Sequence, residues 1–119
     1  MKAQKFLVVD DEPLIRRSLV RAFAAQGYVC DEAENGLRAL EKIRQNDYRA
    51  LLLDVIMPEK NGYEVLLEMK KKIPVFIISA FTGDDTNIGY IQNDDRVVEY
   101  INKPFDDIFS VVRKVLDKT

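Results

Sequence analysis

Five short apolar runs alternate with helical patterns along the 119 residues of this chain. The apolar runs, which we interpret as strands, occupy residues 5–10, 28–33, 49–54, 74–79 and 96–101. The helical patterns begin at Pro13, after a cap at Asn35, at Tyr63, near residue 84 and near Asp106. Strands and helices that alternate in this way indicate βαβ units and a parallel sheet. A chain of this length suits one domain with one core, so we expect residues 1–119 to form a single domain.

The apolar content of the predicted strands indicates their order in the sheet. The runs at 5–10, 49–54 and 74–79 are almost continuous in Val, Leu, Ile and Phe, as expected of strands covered on both faces. The runs at 28–33 and 96–101 include charged residues, which suits sheet edges. The predicted fold is therefore a flavodoxin-like, doubly wound α/β sandwich of (βα)5 type, with a parallel sheet in the order 2-1-3-4-5. Its switch point lies between strands 1 and 3.

Apolar residues recur at helical spacing in the predicted helices. We expect the first helix to bury one face, made of Leu14, Ile15, Leu19, Ala22 and Phe23. Its basic residues are expected to face water, namely Arg16, Arg17 and Arg21. The second helix has apolar residues at the same spacing, which are Leu37, Leu40 and Ile43. The last helix has five, which are Ile108, Val111, Val112, Val115 and Leu116.

Charged side chains stand at the ends of three apolar runs, where a buried strand would simply stop. Asp10 and Asp11 follow the first strand, Asp54 ends the third, and Lys103 follows the fifth. Because the carboxyl ends of parallel strands meet at one edge of the sheet, we expect these groups to lie together. Three carboxylates in close contact repel one another unless a cation neutralises them. The pattern therefore predicts a divalent-metal site, with Mg²⁺ as the preferred ion.

Composition excludes several other functions. The net charge is 18 − 20 = −2 without a basic block, so we expect no direct nucleic-acid binding by this segment. The N-terminal apolar stretch is too short for a signal peptide or a membrane span. The single cysteine, Cys30, cannot form an internal disulfide, which fits a reducing compartment. We therefore expect a cytoplasmic protein that does not act in a membrane.

Four short motifs occur in order, each at the end of its own predicted strand. They are Asp10-Asp11-Glu12-Pro13, Asp54 followed by Met57-Pro58 and Gly62, Ser79-Ala80, and Lys103-Pro104-Phe105. Each motif alone has a simpler explanation: an acidic pair before a helix is commonly a cap, and a lone serine or lysine is commonly structural or solvated. Together, and over essentially the whole chain, they make the sequence resemble the receiver domain of two-component response regulators.

The resemblance implies a role for each carboxylate. Asp54 would be the phosphoacceptor, which takes a phosphoryl group from a histidine of a sensor kinase or of a phosphotransfer protein. Mg²⁺ would be held directly by Asp11, Asp54 and the backbone carbonyl of Ile56. Asp10 would act mainly through a bound water. Mg²⁺ usually keeps several waters and takes few carboxylates, so this ligand set is chemically reasonable.

Further residues take roles from the same resemblance. Lys103 and Ser79 would be catalytic, since both would contact phosphoryl oxygens. Ser79 and Tyr100 would form the switch that responds to phosphorylation. Gly62 and Pro104 would be structural at the site, and the Lys103–Pro104 bond corresponds to one that is cis in the family, although the sequence leaves its isomer open.

The implied function is that of a phosphorylation-activated signalling switch in a two-component phosphorelay. Phosphorylation would change a surface made by the helix near 84–93, the fifth strand and the last helix. The chain would catalyse only its own phosphoryl transfer and autodephosphorylation, and would act on an output domain or a target protein. A phosphorylation-dependent dimer is also expected, but residues 90–95 depart from the family pattern and leave the dimer mode open.

Three other functions can be set against this one. A small aspartate-nucleophile phosphohydrolase would need a second acid two residues after the nucleophile, where this chain has Ile56. A flavodoxin-like binding module would need a loop rich in Ser, Thr and Gly after strand 1, where this chain has an acidic loop. A receiver that has lost phosphorylation and only binds partners is disfavoured because Asp54, Ser79 and Lys103 are all present.

Overall fold

A computed structural model describes residues 5–57, 59–80, 93–103, 105 and 107–119. The elements in these residues are β1 (Lys5–Val9), α1 (Pro13–Ala25), β2 (Val29–Ala33), α2 (Gly36–Gln45), β3 (Ala50–Asp54), α3 (Gly62–Glu68), β4 (Val75–Ser79), β5 (Val97–Asn102) and α4 (Ile108–Asp117). The helix predicted near 84–93 and the Lys103–Pro104 bond lie outside the described residues. No helix in the described ranges is long and apolar enough to cross a membrane.

The five strands form one parallel sheet in the order β2-β1-β3-β4-β5, which confirms the predicted order. The pairing brings the carboxyl ends of the central strands side by side, because Val9 pairs with Leu53 and Asp54 pairs with Ile78. At the next boundary, Ser79 pairs with Asn102, the last residue of β5. The sheet therefore presents the ends of β1, β3, β4 and β5 along one edge.

Each face of the sheet buries its own apolar cluster. Alternate strand residues point to opposite faces, so a central strand covered on both sides must be apolar throughout. One face packs against α2 and α3, and includes Leu7, Val9, Leu51, Leu53 and Ile77. The other packs against α1 and α4, and includes Phe6, Val8, Leu52, Phe76 and Ile78. This two-sided packing explains why β1, β3 and β4 read as continuous apolar runs.

The prediction for the face of α1 was wrong at two positions. Leu14 is 81% exposed, whereas the side chain of Arg16 is only 11% exposed. The buried stripe of α1 contains Leu19, and a residue three before it lies on the same side of the helix. Arg16 occupies that position and Leu14 does not. In α2, Leu37 is exposed, whereas Leu40 and Ile43 are buried.

Side-chain caps set the start of three helices. Asn35 accepts a hydrogen bond from the backbone N–H of Arg38 at 2.9 Å, which confirms the predicted cap of α2. Asn61 and Glu64 form a reciprocal capping box at the start of α3. Asp107 accepts from the N–H of Phe109 at 3.0 Å, and α4 therefore begins at Ile108.

Arg96 contacts the end of α3, which stops at Glu68. Its guanidinium donates to the carbonyl oxygens of Leu66 at 2.7 Å and Met69 at 2.6 Å. Its remaining charge is paired with the carboxylate of Asp94, at 2.9 and 2.7 Å. The last carbonyls of a helix lack partners inside the helix, so Arg96 supplies donors that α3 needs. It also ties the segment before β5 to α3.

We expect Arg96→Ala to lower the free energy of unfolding by about 2–3 kcal/mol, because it removes charge-assisted hydrogen bonds and leaves Asp94 without its partner. Urea unfolding of the two proteins measures the difference. Arg38→Ala is the matched control: its exposed pair with Glu41 at 3.4 Å should contribute less than about 0.5 kcal/mol. Equal losses in the two variants would contradict the assignment.

Candidate functional site

Four of the predicted site residues meet where the central strands end. Asp10 follows β1, Asp54 ends β3, Ser79 ends β4 and Lys103 follows β5. The backbone N–H of Lys103 donates to the carbonyl oxygen of Ser79 at 3.0 Å, which extends the pairing of β4 and β5 by one residue. The predicted convergence of Asp10, Asp11, Asp54 and Lys103 at this end of the sheet is present in the structure.

The carboxylates of this edge form a compact cluster. Asp10, Asp11, Glu12 and Asp54 each offer an oxygen atom, and these atoms all lie within 4.8 Å of one another. Asp10 and Asp54 are buried, whereas Asp11 and Glu12 are exposed. All the donors are oxygens, which are the ligands that Mg²⁺ and Ca²⁺ prefer. The cluster therefore suits a hard divalent cation.

Lys103 contacts three of these carboxylates. Its ammonium nitrogen lies 2.7 Å from Asp10 Oδ2, 3.1 Å from Asp54 Oδ2 and 3.1 Å from Glu12 Oε1. The side chain of Lys103 is only 9% exposed, so its ion pairs with the buried Asp10 and Asp54 are poorly screened by solvent, whereas its pair with Glu12 is exposed. Lys103 thus supplies a positive charge of the protein itself within the acidic cluster.

The environment keeps Lys103 charged. Burial on its own would lower the pKa of Lys103, but the hydrogen bond to Asp10 and the charges of Asp54 and Asp10 outweigh it and raise the pKa above its usual value. For Asp10 the largest effect is burial, which raises its pKa to about 6 although Lys103 and the N–H of Glu12 act in the opposite direction. Lys103 therefore carries a fixed positive charge beside the buried carboxylates.

Glu12 belongs to this cluster, although the sequence suggested at most a capping role for it. It occupies the N-cap position of α1, but its side chain makes no capping hydrogen bond. Its carboxylate contacts Lys103 instead. Its place next to the acidic pair was a signal in the sequence that could have included it among the candidate ligands.

The loop after Asp54 is held close to the carboxylate that it follows. The backbone N–H of Ile56 donates to Asp54 Oδ1 at 3.1 Å, and that of Gly62 donates to the carbonyl oxygen of Val55 at 3.2 Å. A Cβ atom on Gly62 would lie 2.5 Å from the carbonyl oxygen of Asp54 and 2.7 Å from Val55 Cα. A larger residue at position 62 would therefore displace the backbone of the site.

Ser79 is a buried hydroxyl, and its Oγ has no hydrogen-bond partner among the residues that the structure describes. An unpaired buried hydroxyl is unfavourable, and a water, an ion or a reacting group that binds beside it would supply the missing partner. Tyr100 is exposed on β5, and Ile56 is 61% exposed beside the acidic cluster. The predicted roles of these three residues remain predictions.

Arg16 is a neighbour of the site that the sequence-based prediction placed in water. It donates to the carbonyl oxygen of Asp10 at 2.8 Å and to Glu32 Oε1 at 2.8 Å. These bonds tie the start of α1 to the ends of β1 and β2. Its spacing from Leu19 on the buried stripe was the signal in the sequence that could have revealed this position.

A cavity of about 360 Å³ lies at the end of β2, between α1 and α2. Four basic side chains and two acidic ones line it together with Ala33, namely Arg16, Arg17, Arg38, Lys42, Glu32 and Glu34. An excess of basic groups does not suit a divalent cation. The acidic cluster at β1 and β3 is therefore the candidate metal site.

The fold and this edge define a class of protein: a doubly wound α/β domain with an acidic cluster and a lysine at its switch point. The sequence pattern of the response regulator receiver domain matches residues 6–113, and the chain belongs to that family. It is a receiver domain of the two-component response regulators, as the sequence motifs predicted. The phosphohydrolase and the flavodoxin-like module are not favoured by this match.

Two curated relatives show how far the similarity extends. The transcriptional regulatory protein ResD of Bacillus subtilis is 40% identical over 105 residues, which cover 85% of this chain and 42% of ResD. Response regulator RR06 of Streptococcus pneumoniae is 36% identical over 109 residues, which cover 90% of this chain and 49% of that protein. The chain thus spans about half the length, or less, of these relatives.

Solved structures of receiver domains share the fold over nearly the whole chain. TrrA from Thermotoga maritima, whose structure is a complex with Mg²⁺-BeF, has a TM-score of 0.79 at 33% identity and covers 99% of this chain and 98% of TrrA. The receiver domain of the Francisella response regulator 1452 has a TM-score of 0.82 at 28% identity and covers 96% of this chain and 94% of that domain.

Proposed function

We propose that this chain is a phosphorylation-activated switch, in which Asp54 accepts a phosphoryl group with Mg²⁺ bound beside it. The observation that carries the proposal is the position of the buried Asp54 carboxylate. It contacts the ammonium of Lys103, and one of its oxygens lies within 4.8 Å of an oxygen of each of three other carboxylates. A buried nucleophile needs charge neutralisation nearby when it attacks an anionic group. This end of the sheet supplies one fixed cation, the ammonium of Lys103, and the oxygen ligands for a second cation, Mg²⁺.

Asp54, Lys103 and the metal ligands would each have a separate role in phosphoryl transfer. An oxygen of Asp54 attacks phosphorus, a new O–P bond forms, and the P–N bond to the donor histidine breaks, with the electron pair returning to the imidazole nitrogen. Lys103 stays protonated throughout and stabilises negative charge on the phosphoryl oxygens. Mg²⁺ held by Asp10, Asp11, Asp54 and the carbonyl of Ile56 would neutralise the carboxylates and the incoming phosphoryl oxygens.

Two observations support Mg²⁺ as the cofactor. In the described part of the chain the donor set consists of oxygens, and the ammonium of Lys103 does not by itself balance four carboxylates. The similar receiver TrrA forms a complex with Mg²⁺-BeF. As part of the proposal, we infer that this chain also binds Mg²⁺.

Ser79 and Tyr100 would pass the phosphorylation signal to the surface. The Ser79 hydroxyl is buried without a partner in the described ranges, so it is available to donate to a phosphoryl oxygen. Its movement toward the phosphoryl group would open space for the ring of Tyr100, which lies on β5 and lines a cavity together with residues of α4. Such a change shifts the balance between two arrangements of that surface.

The partners follow from this cycle. The donor would be a sensor histidine kinase or a phosphotransfer protein, and the phosphorylated form would act on an output domain or a target protein in the cytoplasm. Phosphorylation would also favour a dimer of a mode that we leave open. Beyond accepting and losing its own phosphoryl group, the chain would have no catalytic activity.

We expect a small acyl phosphate and Mg²⁺ to add one phosphoryl group to the wild-type chain, at Asp54. Asp54→Asn should abolish this labelling because an amide is not a competent nucleophile. Intact mass and phosphorylation mapping measure the result. Asp47→Asn, which alters an exposed carboxylate outside the cluster, should label like wild type. Labelling that persists in Asp54→Asn, or after removal of all divalent metal, would overturn the proposal.

We expect Ser79→Ala to accept phosphoryl groups but to transmit the signal poorly. The variant removes the hydroxyl that would contact the phosphoryl oxygen, and it should fold normally because Ser79 Oγ has no partner in the described structure. Lys103→Ala should still permit some phosphorylation but uncouple it from the response, because the phosphoryl oxygen loses its ion pair.

Backbone amide shifts in β5, recorded before and after phosphorylation, measure the response of both variants. Ser18→Ala, an exposed change in α1, is the control and should respond like wild type. Shifts of wild-type size in both Ser79→Ala and Lys103→Ala would show that the switch does not use these groups.

A further inference from the structure

The N-terminus of α2 makes an unusually close contact with the loop that follows Asp54. The backbone N–H of Gly36 donates to the carbonyl oxygen of Lys60 at 2.9 Å. A Cβ atom on Gly36 would lie 2.2 Å from that oxygen and 2.8 Å from the carbonyl carbon. Because both of these atoms belong to the backbone, no side-chain movement can relieve the clash. Only glycine allows this approach without displacing either α2 or the loop.

The loop that receives this contact is strained. Glu59, the residue before Lys60, has a φ of 63°, in the left-handed region that a residue with a Cβ rarely adopts. Such a conformation persists only where its surroundings hold it, and it is most frequent at functional sites. The hydrogen bond from Gly36 is accepted by Lys60, the residue directly after Glu59. It is therefore one of the contacts that can hold the conformation of Glu59.

Among the residues that the structure describes, the other contacts of the loop come from its own ends and from α3, where the ammonium of Lys60 pairs with Glu68. The backbone N–H of Ile56 donates to Asp54, and that of Gly62 donates to Val55. Asn61 is held by the capping box of α3. The contact between Gly36 and Lys60 differs because it joins the loop to a separate helix. Between them, these contacts fix both ends of the loop that contains the backbone carbonyl of Ile56.

We propose that Gly36 is a positioning residue for the metal site at Asp54. Its contact with Lys60 holds the strained loop in the conformation in which the Ile56 carbonyl and the Asp54 carboxylate serve one cation. The inference rests on the proposed function, since it assumes that Mg²⁺ binds at Asp54. It adds that the position of α2 sets the affinity for that ion. Supporting groups around metal ligands commonly change affinity by about tenfold or more when they are altered.

The test compares Gly36→Ala with Leu37→Ala, the neighbouring substitution on the exposed side of the same helix. Mg²⁺ is titrated into each ¹⁵N-labelled protein, the amide shifts of Asp54 and Ile56 give Kd, and urea unfolding gives stability. We expect Gly36→Ala to weaken Mg²⁺ binding about tenfold or more, with Leu37→Ala unchanged. A merely structural role would lower stability and leave the Kd of the folded protein unchanged, and that result would overturn the inference.

A wild-type measurement keeps the test decisive if Gly36→Ala does not fold. By linkage, a cation that fixes the loop must also strengthen the contact with Gly36. Hydrogen exchange at the Gly36 amide should therefore slow in saturating Mg²⁺, while exchange at Asn46, at the far end of α2, should not change. Equal exchange at Gly36 with and without Mg²⁺ would overturn the inference alone. Absence of any saturable Mg²⁺ shift in wild type would instead refute the proposed metal site, and the inference with it.

Discussion

The ion pairs of Lys103 are the interaction on which the acidic edge depends. Two buried carboxylates, Asp10 and Asp54, stand side by side at the ends of β1 and β3, and each is unfavourable in that position without a positive partner. Lys103 reaches both of them, together with Glu12. It can do so because β5 lies next to β4 and ends in register with Ser79. The charge balance of the site therefore depends on the strand order and on the pairing register, because these bring Lys103 to the carboxylates.

Among the described residues, one ammonium contacts a cluster of four carboxylates, which leaves this end of the sheet negatively charged. That residual charge favours a divalent cation, and the oxygen donors suit Mg²⁺. The surrounding backbone is arranged to keep the donors in place: Gly62 allows the loop after Asp54 to close on itself, Gly36 allows α2 to approach that loop, and Arg16 holds the backbone of Asp10. The proposed chemistry needs little beyond such positioning and charge neutralisation.

Much of the fold followed from the sequence because its signals were local. Apolar content alone separated the central strands from the edges, and charged residues at strand ends located the site. What the sequence did not reveal depends on contacts between distant segments. Arg96 supplies donors to carbonyls 27 and 30 residues away, and Gly36 meets Lys60 only after α2 and α3 have packed on the same face of the sheet. Arg16 was misplaced for a different reason: a long basic side chain on a buried stripe can still reach polar partners.

The stability of Lys103→Met with and without Mg²⁺ tests the central constraint most directly. In the absence of divalent metal, we expect the variant to be about 3 kcal/mol less stable to urea than wild type, because two buried carboxylates lose their cation. Mg²⁺ should narrow this gap by replacing the missing charge. Lys118→Met, which removes an exposed partner of Glu99, should cost less than about 1 kcal/mol and show no such dependence on Mg²⁺. A Lys103→Met protein as stable as wild type without metal, or a gap that Mg²⁺ does not change, would contradict the role assigned to Lys103.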